Sequence, residues 1–430
     1  MSDTIFALGS GQLPAALGVM RISGPRAEHA LRQLAGAVPP PRRAGLRTLR
    51  DPRDSAELDR ALVLWFPGPA SATGEDCAEL HLHGGRAVAA AVEAALGALG
   101  LRRAAPGEFT RRAFANGRLD LAEVEGLADL LSAETELQRR AAQAMAGGAL
   151  SRQAEDWRGR VLALSARIEA ALDFADEGDV GGETDPLPEG LAATCAALAR
   201  DLAAWLERPR AEPLREGFRV VLAGPPNAGK SSLFNALVEH DAAIISAEPG
   251  TTRDVLVSMV ALSGVPFSFV DTAGLRDTGA GEIEAIGIAR AHAEAARADL
   301  VLWLGPEGQG PDGAVWEIAA QCDRPDALRK AAGAWSVSAR TGEGMAAFRA
   351  ALIAAARAAM PAPGVAALNQ RQAQCLGQCH DALIDAVAQT DPLLAAECLR
   401  LARRALDALV GRADTEAMLD ALFGRFCIGK

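Results

Sequence analysis

The chain has 430 residues and a formal charge of −11, and half of its residues are hydrophobic, so it is long enough for two or three domains with substantial cores. The acidic balance excludes a uniformly nucleic-acid-binding surface, although it leaves room for a local basic patch; 12 Phe and no Tyr exclude serial base stacking as the main working mode. No stretch approaches about 18 uninterrupted apolar residues, the start "MSDTIFALGSGQ" does not read as a secretory signal, and seven cysteines form no dense framework. A cytoplasmic protein without a membrane span is expected.

In chain order, residues 1–118 mix strand-like and helix-like runs. "ALVLWF" (Ala61 to Phe66) and "AELHLHG" (Ala78 to Gly84) have strand character, and "AVAAAVEAALGAL" (Ala87 to Leu99) reads as a helix, which together predict an α+β unit. From Leu119 to about Arg208 the pattern is helical, interrupted by the acidic loop Asp176 to Gly190. "FRVVLAG" opens a run of alternating strands and helices to about Ala359, and "PAPG" (Pro361 to Gly364) marks the next boundary. Beyond it, Leu399, Ala402, Leu406 and Leu409 recur at helical spacing, with Arg400, Arg403, Arg404 and Asp407 elsewhere around the helix. The expected boundaries are 1–118, 119–215, 216–360 and 361–430. Helical segments flank the α/β unit on both sides, so they either pack as one domain with that unit inserted or form two separate helical domains.

"AGPPNAGKSSLF" (Ala223 to Phe234) contains G-x-x-x-x-G-K-S between a strand and a helix, the pattern of a phosphate-binding loop. Gly224 and Gly229 let backbone amides face oxygen atoms, Lys230 reaches the β- and γ-phosphates, and Ser231 holds Mg2+. In "PGTTRD" (Pro249 to Asp254), Thr252 offers a second hydroxyl to Mg2+. "FSFVDTAG" (Phe267 to Gly274) brings Asp271 from a strand end, with Gly274 near the γ-phosphate; in this order the three segments indicate a GTPase. The usual guanine reader Asn-Lys-x-Asp is replaced by "AAQCD" (Ala319 to Asp323), in which Asp323 remains to accept from guanine N1 and N2. Ser338, Ala339 and Arg340 stand where a Ser-Ala-Lys loop touches the base. The short "PEGQGPDGAVWEIA" leaves room for at most a stub of helix. Leu275 follows D-x-x-G and cannot orient water, so another group must, and Glu284 is a candidate by position.

These motifs, with "DTIFAL" at Asp3, "RISG" at Arg21, "GEDCAELHLHGG" (Gly74 to Gly85), "PGEFTRRAFANGRLDLAEVEGLADL" (Pro106 to Leu130) and the terminal "FCIGK" (Phe426 to Lys430), resemble the MnmE, or TrmE, family of tRNA-modifying GTPases over essentially the full length. The resemblance implies a multidomain α/β and α protein: an amino-terminal α+β domain that binds folate and dimerises, a central helical domain built from two chain segments, and an inserted P-loop GTPase α/β domain. It implies nucleotide contacts from Asn227, Ala228, Gly229, Lys230, Ser231, Ser232, Ser246, Thr251, Thr252, Asp271, Thr272, Ala273, Gly274, Asp323, Ser338, Ala339 and Arg340. Asn227, Ser246, Glu248 and Thr251 would hold potassium, Asp271 would act on Mg2+ from its second shell, and Glu284 would orient water. A tetrahydrofolate derivative (5-formyl or 5,10-methylene) would meet Arg21, Glu79, Arg118 and Lys430. With an FAD- and NADH-dependent partner similar to MnmG/GidA, family members modify C5 of the wobble uridine in certain tRNAs, the folate supplying a one-carbon unit. Cys427 would either take part in that modification or merely pack. A GTP-dependent assembly switch that performs no modification is the competing class.

Other residues have plainer readings. Cys375 and Cys379 share a helical face that His380 does not, which favours packing over zinc. His81 and His83 lie on one side of a strand and either approach a ligand or, the favoured reading, are packed or hydrogen-bonded. Arg102, Arg103, Arg111, Arg112 and Arg118 either meet folate carboxylates or tRNA phosphates, or form a solvated face beside acids.

Overall fold

A computed structural model describes residues 3–175, 187–238, 243–246, 256–271, 293–325, 327–331, 333–412, 416–424, 426 and 429. The chain divides into two compact units, Met1–Ala128 with Asp407–Lys430, and Asp129–Leu406.

The first unit holds a six-stranded sheet among the described residues: β1 (Ile5–Leu8), β2 (Leu17–Ser23), β3 (Gly45–Arg50), β4 (Glu57–Phe66), β5 (Cys77–His83) and β6 (Arg102–Arg103), in the order β3-β4-β5-β2-β1-β6. All neighbours are antiparallel except β1 and β6. Period-two alternation gives the sheet two different faces. Met20 and Ile22 of β2 and Leu80 and Leu82 of β5 turn to a core shared with Leu31 and Leu34 of helix Ala27–Ala35 and Val92 and Leu96 of helix Arg86–Ala98. Each such side chain contributes roughly 1.5–3 kcal/mol on burial. The alternate positions, Arg21 opposite Glu79 in register, are left on the other face. Helix Glu416–Phe423, from the far end of the chain, belongs to the same unit: Phe423 and Phe426 pack with Val124, Phe114 and Leu119.

The second unit combines helices with a second sheet. Helix Leu191–Leu206 packs along helix Gln370–Ala388, although the whole sheet lies between them in sequence. Buried Cys195, Leu198 and Leu202 on one and Cys375, Leu376, Cys379 and Leu383 on the other supply the apolar faces. The helical domain is therefore one structure made from two chain segments. The chain enters and leaves the inserted part side by side: the Ala211 amide donates to the Leu368 carbonyl at 3.0 Å, and the Gln370 amide to Glu212 Oε1 at 2.7 Å. Leu399, Ala402, Leu406 and Leu409 of helix Pro392–Leu409 are buried, as their spacing predicts; Arg400 and Arg404 are exposed, while Arg403 and Asp407 are half-buried.

The inserted sheet contains, among the described residues, β7 (Phe218–Ala223), β8 (Ala243–Ser246), β9 (Leu256–Leu262), β10 (Val265–Asp271), β11 (Leu300–Trp303), β12 (Val315–Ala320) and β13 (Trp335–Val337), ordered β13-β12-β11-β7-β10-β9-β8. β9 is antiparallel to both of its neighbours, β8 and β10, and the remaining pairings are parallel. Central β7 is buried on both faces, which is why "RVVLA" reads as a continuous apolar run after its first residue. Residues 304–314 cross from β11 to β12 without the helical stub that the sequence left room for; they are turns and bends. In its place Lys330, its side chain fully buried, bridges the Trp303 carbonyl at 2.8 Å and Glu317 Oε2 at 2.5 Å. On β12 and β13, Trp316 and Trp335 pack against Phe348 of helix Met345–Ala359, with ring centroids 5.6–6.1 Å apart.

Candidate functional site: a phosphate loop and a polar sheet face

β7 runs into the loop 224–229 and directly on into helix Lys230–Val238. The loop needs left-handed backbone at three positions: Gly224 has φ 150°, Gly229 φ 92° and Asn227 φ 62°. Glycine supplies the first two without a Cβ penalty, and asparagine tolerates the third. Space is also tight, since a Cβ on Gly229 would lie 3.0 Å from Gln321 Nε2. Lys230 is 7% exposed, and its ammonium sits inside the loop, donating to the carbonyls of Gly224 (2.9 Å) and Pro225 (2.8 Å). A buried cation in a curved backbone at a helix amino terminus is the donor set that a phosphate chain requires.

Ser231 and Ser232 begin the helix and are exposed, as is Asn227. β10 brings the backbone of Asp271 level with Leu222 of β7, two residues before the loop, at the carboxyl ends of adjacent parallel strands. This is where open α/β sheets bind ligands. The Ser231 hydroxyl is of the type that suits a hard cation such as Mg2+, which takes one or two protein oxygens together with phosphate oxygens. Asn227, exposed in the loop, presents a side-chain amide oxygen of the kind that a potassium ion would take.

At the base-reading end, Ser338 Oγ donates to Asp323 Oδ1 at 2.6 Å and Arg340 Nε to Asp323 Oδ2 at 2.8 Å. The Ser338 hydroxyl, opposed by burial and helped by Arg340, holds the Asp323 carboxyl below the ordinary carboxylate range. Asp323, Ser338 and Arg340 are thus brought together across 15 and 17 residues of sequence, with Ala339 between the last two. Gln321, which stands where the usual Asn-Lys-x-Asp reader has its lysine, has φ 57° and donates from Nε2 to the Asn227 carbonyl at 3.4 Å. Its position immediately after β12 was the one available signal.

On the polar face of the first sheet, Arg21 Nε donates to Glu79 Oε1 at 3.1 Å, and Arg21 Nη1 to the Gly429 carbonyl at 3.5 Å. Gly429 has φ 97°, and a Cβ there would meet the Leu8 carbonyl oxygen at 2.5 Å, so Gly429 itself lies against the end of β1 and Gly9. The other oxygen of Glu79 pairs with His81 Nε2 at 3.2 Å. His81 is thus hydrogen-bonded, as one of its two readings from sequence had it, and its alternation with Glu79 along β5 puts it on the same face. Arg118 is exposed, and a Cβ on Gly74 would lie 3.2 Å from its Cγ.

Residues 4–118 match the family described as the GTP-binding protein TrmE N-terminus, and residues 121–427 match the MnmE helical domain. This chain belongs to the MnmE (TrmE) family of tRNA modification GTPases. It is 71% identical to the tRNA modification GTPase MnmE of Novosphingobium aromaticivorans, with 100% of both chains covered. The proteins of the same description from Erythrobacter litoralis and Rhizorhabdus wittichii are 59% and 58% identical; all of this chain is covered in both comparisons, with 100% and 97% of those chains.

Several MnmE positions expected from sequence fall outside the described residues: Glu248, Thr251, Thr252, Thr272, Ala273, Gly274, Glu284, Cys427 and Lys430. For Ser246 and Asp271 only the backbone is described. The plainer readings can be placed. Cys375 and Cys379 face the helical core, burial pushing the Cys379 thiol up to about 12, while His380 Nδ1 pairs with Asp381 at 3.0 Å. His83 pairs with Asp59 at 2.7 Å. Arg102 meets Asp3 and Glu108, Arg103 meets Glu93, Arg111 meets Asp420, and buried Arg112 meets Asp3, Glu75 and Glu108, so four of the five arginines are balanced by acids. Among the described residues no helix is long and apolar enough to cross a membrane.

Proposed function

We propose that this chain binds GTP and Mg2+ and hydrolyses GTP to GDP and phosphate with stimulation by potassium. We further propose that, as a homodimer acting with an FAD- and NADH-dependent partner, it couples hydrolysis to modification of C5 of the wobble uridine in tRNA, using a tetrahydrofolate one-carbon unit. The observation that carries the reading is the Lys230 ammonium enclosed by the Gly224–Gly229 loop at the carboxyl end of β7. On GTP binding Lys230 exchanges its two carbonyl partners for β- and γ-phosphate oxygens, and the first helix amides orient the same oxygens. Asp323 selects the base. Glu284 orients the attacking water, the task that Leu275 cannot perform. Asn227, with Ser246, Glu248 and Thr251, would hold potassium, whose charge would offset the negative charge that develops between the phosphates.

For the amino-terminal unit, Arg21, Glu79, Arg118 and Lys430 are proposed as the folate set. The pairing of Arg21 with both Glu79 and the carbonyl of Gly429, next to the terminal lysine, supports it. The proposed domain limits are 1–118, 119–215, 216–360 and 361–430.

Phosphate release from GTP and from ATP, in potassium and in sodium at equal ionic strength, tests the hydrolytic part. Strong stimulation by potassium confined to GTP is expected. Equal rates in the two salts would remove potassium from the mechanism, and equal use of ATP would remove guanine selection.

A further inference from the structure

β12 ends at Ala320, and the residues that follow turn beside the phosphate loop. A Cβ on Gly229 would lie 3.6 Å from the Ala320 Cβ, so this methyl group sits against the last glycine of the loop. Gln321 directs its amide to the same place, donating to the Asn227 carbonyl at 3.4 Å. Asp323 is the acidic side chain of this segment held ready for a base. Ser338 donates to its Oδ1, and Arg340 meets its Oδ2 from both Nε and Nη2 at 2.8 Å; of the roughly four acceptor sites of an ionised carboxylate, the one left on Oδ1 is open, and a base that takes both donors displaces one arm of the exposed Arg340.

A purine whose phosphates lie on residues 224–229 and whose Watson–Crick edge meets Asp323 turns its five-membered ring back toward Ala320 and Gln321. The acceptor at that edge is N7. Ala320 has no donor there, and the Gln321 amide is aimed at the loop. Guanine offers N1–H and N2–H donors to a carboxylate, whereas adenine offers an acceptor at N1.

We infer that this chain selects guanine from the Watson–Crick edge through Asp323, with no side chain among the described residues reading N7, the neighbouring positions Ala320 and Gln321 serving the phosphate loop instead. The inference deepens the GTP reading and rests on it. The missing contact makes 7-deazaguanine, which has C–H in place of N7, equivalent to guanine here, while loss of the 2-amino group removes one of the two donors that Asp323 accepts.

The test is equilibrium competition on the full chain between a fluorescent GDP and GTP, 7-deaza-GTP, inosine triphosphate or ATP. The expected result is 7-deaza-GTP within about twofold of GTP and inosine triphosphate weaker by about tenfold or more, the cost of one hydrogen bond to a charged group. Ala320→Asn, which restores an amide at the N7 edge, is expected to create a preference for GTP over 7-deaza-GTP. If the natural protein binds 7-deaza-GTP about tenfold or more weakly than GTP, N7 is read and the inference falls while the GTP reading stands. If ATP competes as well as GTP, both fall.

Discussion

A Cβ at Gly107 would stand 2.3 Å from the carbonyl oxygen of Phe423, so the loop before helix Glu108–Ala115 and the end of helix Glu416–Phe423 approach as they do only because residue 107 is glycine. The backbone at Gly107 is also left-handed, with φ 66°. The same helix end carries Phe423 into the cluster with Phe114 and Val124 and lies three residues before Phe426.

Gly107→Ala should therefore destabilise the protein by about 1–3 kcal/mol, combining backbone strain with displacement of the carboxy-terminal helix. Urea unfolding measures the loss. An unchanged midpoint and slope would mean that the two segments can separate without cost.

Arg112 is 1% exposed and meets three carboxylates: Asp3 at 2.8 Å, Glu75 at 3.0 Å and Glu108 at 3.1 Å. Removing one partner of a buried ionic group leaves the others uncompensated. Arg112→Met is expected to cost about 3–5 kcal/mol, read from the denaturation free energy of the purified variant. A loss near that of an exposed pair, about 0–1 kcal/mol, would show that water reaches the cluster.

The same cluster predicts a pH dependence. Burial pushes the Glu108 carboxyl up, but hydrogen bonds from Arg102, the Ala105 amide and Arg112 outweigh burial and hold it below its ordinary value of 4.5. A depressed folded pKa adds stability that is fully present above the unfolded value and is lost as the pH falls through the folded one. The stability gap between the natural protein and Glu108→Gln should thus be widest near neutral pH, narrow below 4.5 and close in stronger acid. Thermal unfolding of both across that range decides; a gap that grows on acidification would reverse the assigned sign.

Asn227 separates a backbone requirement from a side-chain role, because its φ of 62° suits glycine as well as asparagine. Asn227→Gly should keep nucleotide affinity but abolish the difference between potassium and sodium in turnover. Asn227→Ala adds left-handed strain of about 1–2 kcal/mol. Full potassium stimulation in the glycine variant would rule out the side chain as the ligand.

For Glu284, replacement by alanine should lower turnover about 100-fold or more while GTP affinity changes by less than about threefold, the pattern of a group needed only in the transition state. Titration of GTP binding beside single-turnover hydrolysis distinguishes the cases. Loss of binding with normal hydrolysis per bound nucleotide would give Glu284 a different task.

Residues close in sequence announced themselves. The phosphate loop was legible because Gly224, Gly229, Lys230 and Ser231 act through local backbone geometry, and their spacing is the geometry. Helix Pro392–Leu409 was legible because Leu399, Ala402, Leu406 and Leu409 repeat at the helical period and are all buried. The pairing of helices Leu191–Leu206 and Gln370–Ala388 could be proposed but not distinguished from two separate helical domains, since periodicity marks an apolar face without naming what covers it. The crossover 304–314 is turns and bends rather than the stub allowed for, and Lys330 with Glu317 fills part of that face.

By itself the sequence determined the order of the phosphate-loop, switch and strand-end segments, the helical faces and the resemblance of the whole chain to its family. Tertiary structure alone decided the relations between distant residues: Gln321 on Asn227, Asp323 between Ser338 and Arg340, Arg112 among three acids, and Arg21 beside both Glu79 and Gly429. The physical reason is range. Backbone conformation and amphipathic period are set over a few neighbouring residues, whereas a hydrogen bond or ion pair depends on which remote backbone segments the packed cores carry to within about 3 Å of each other.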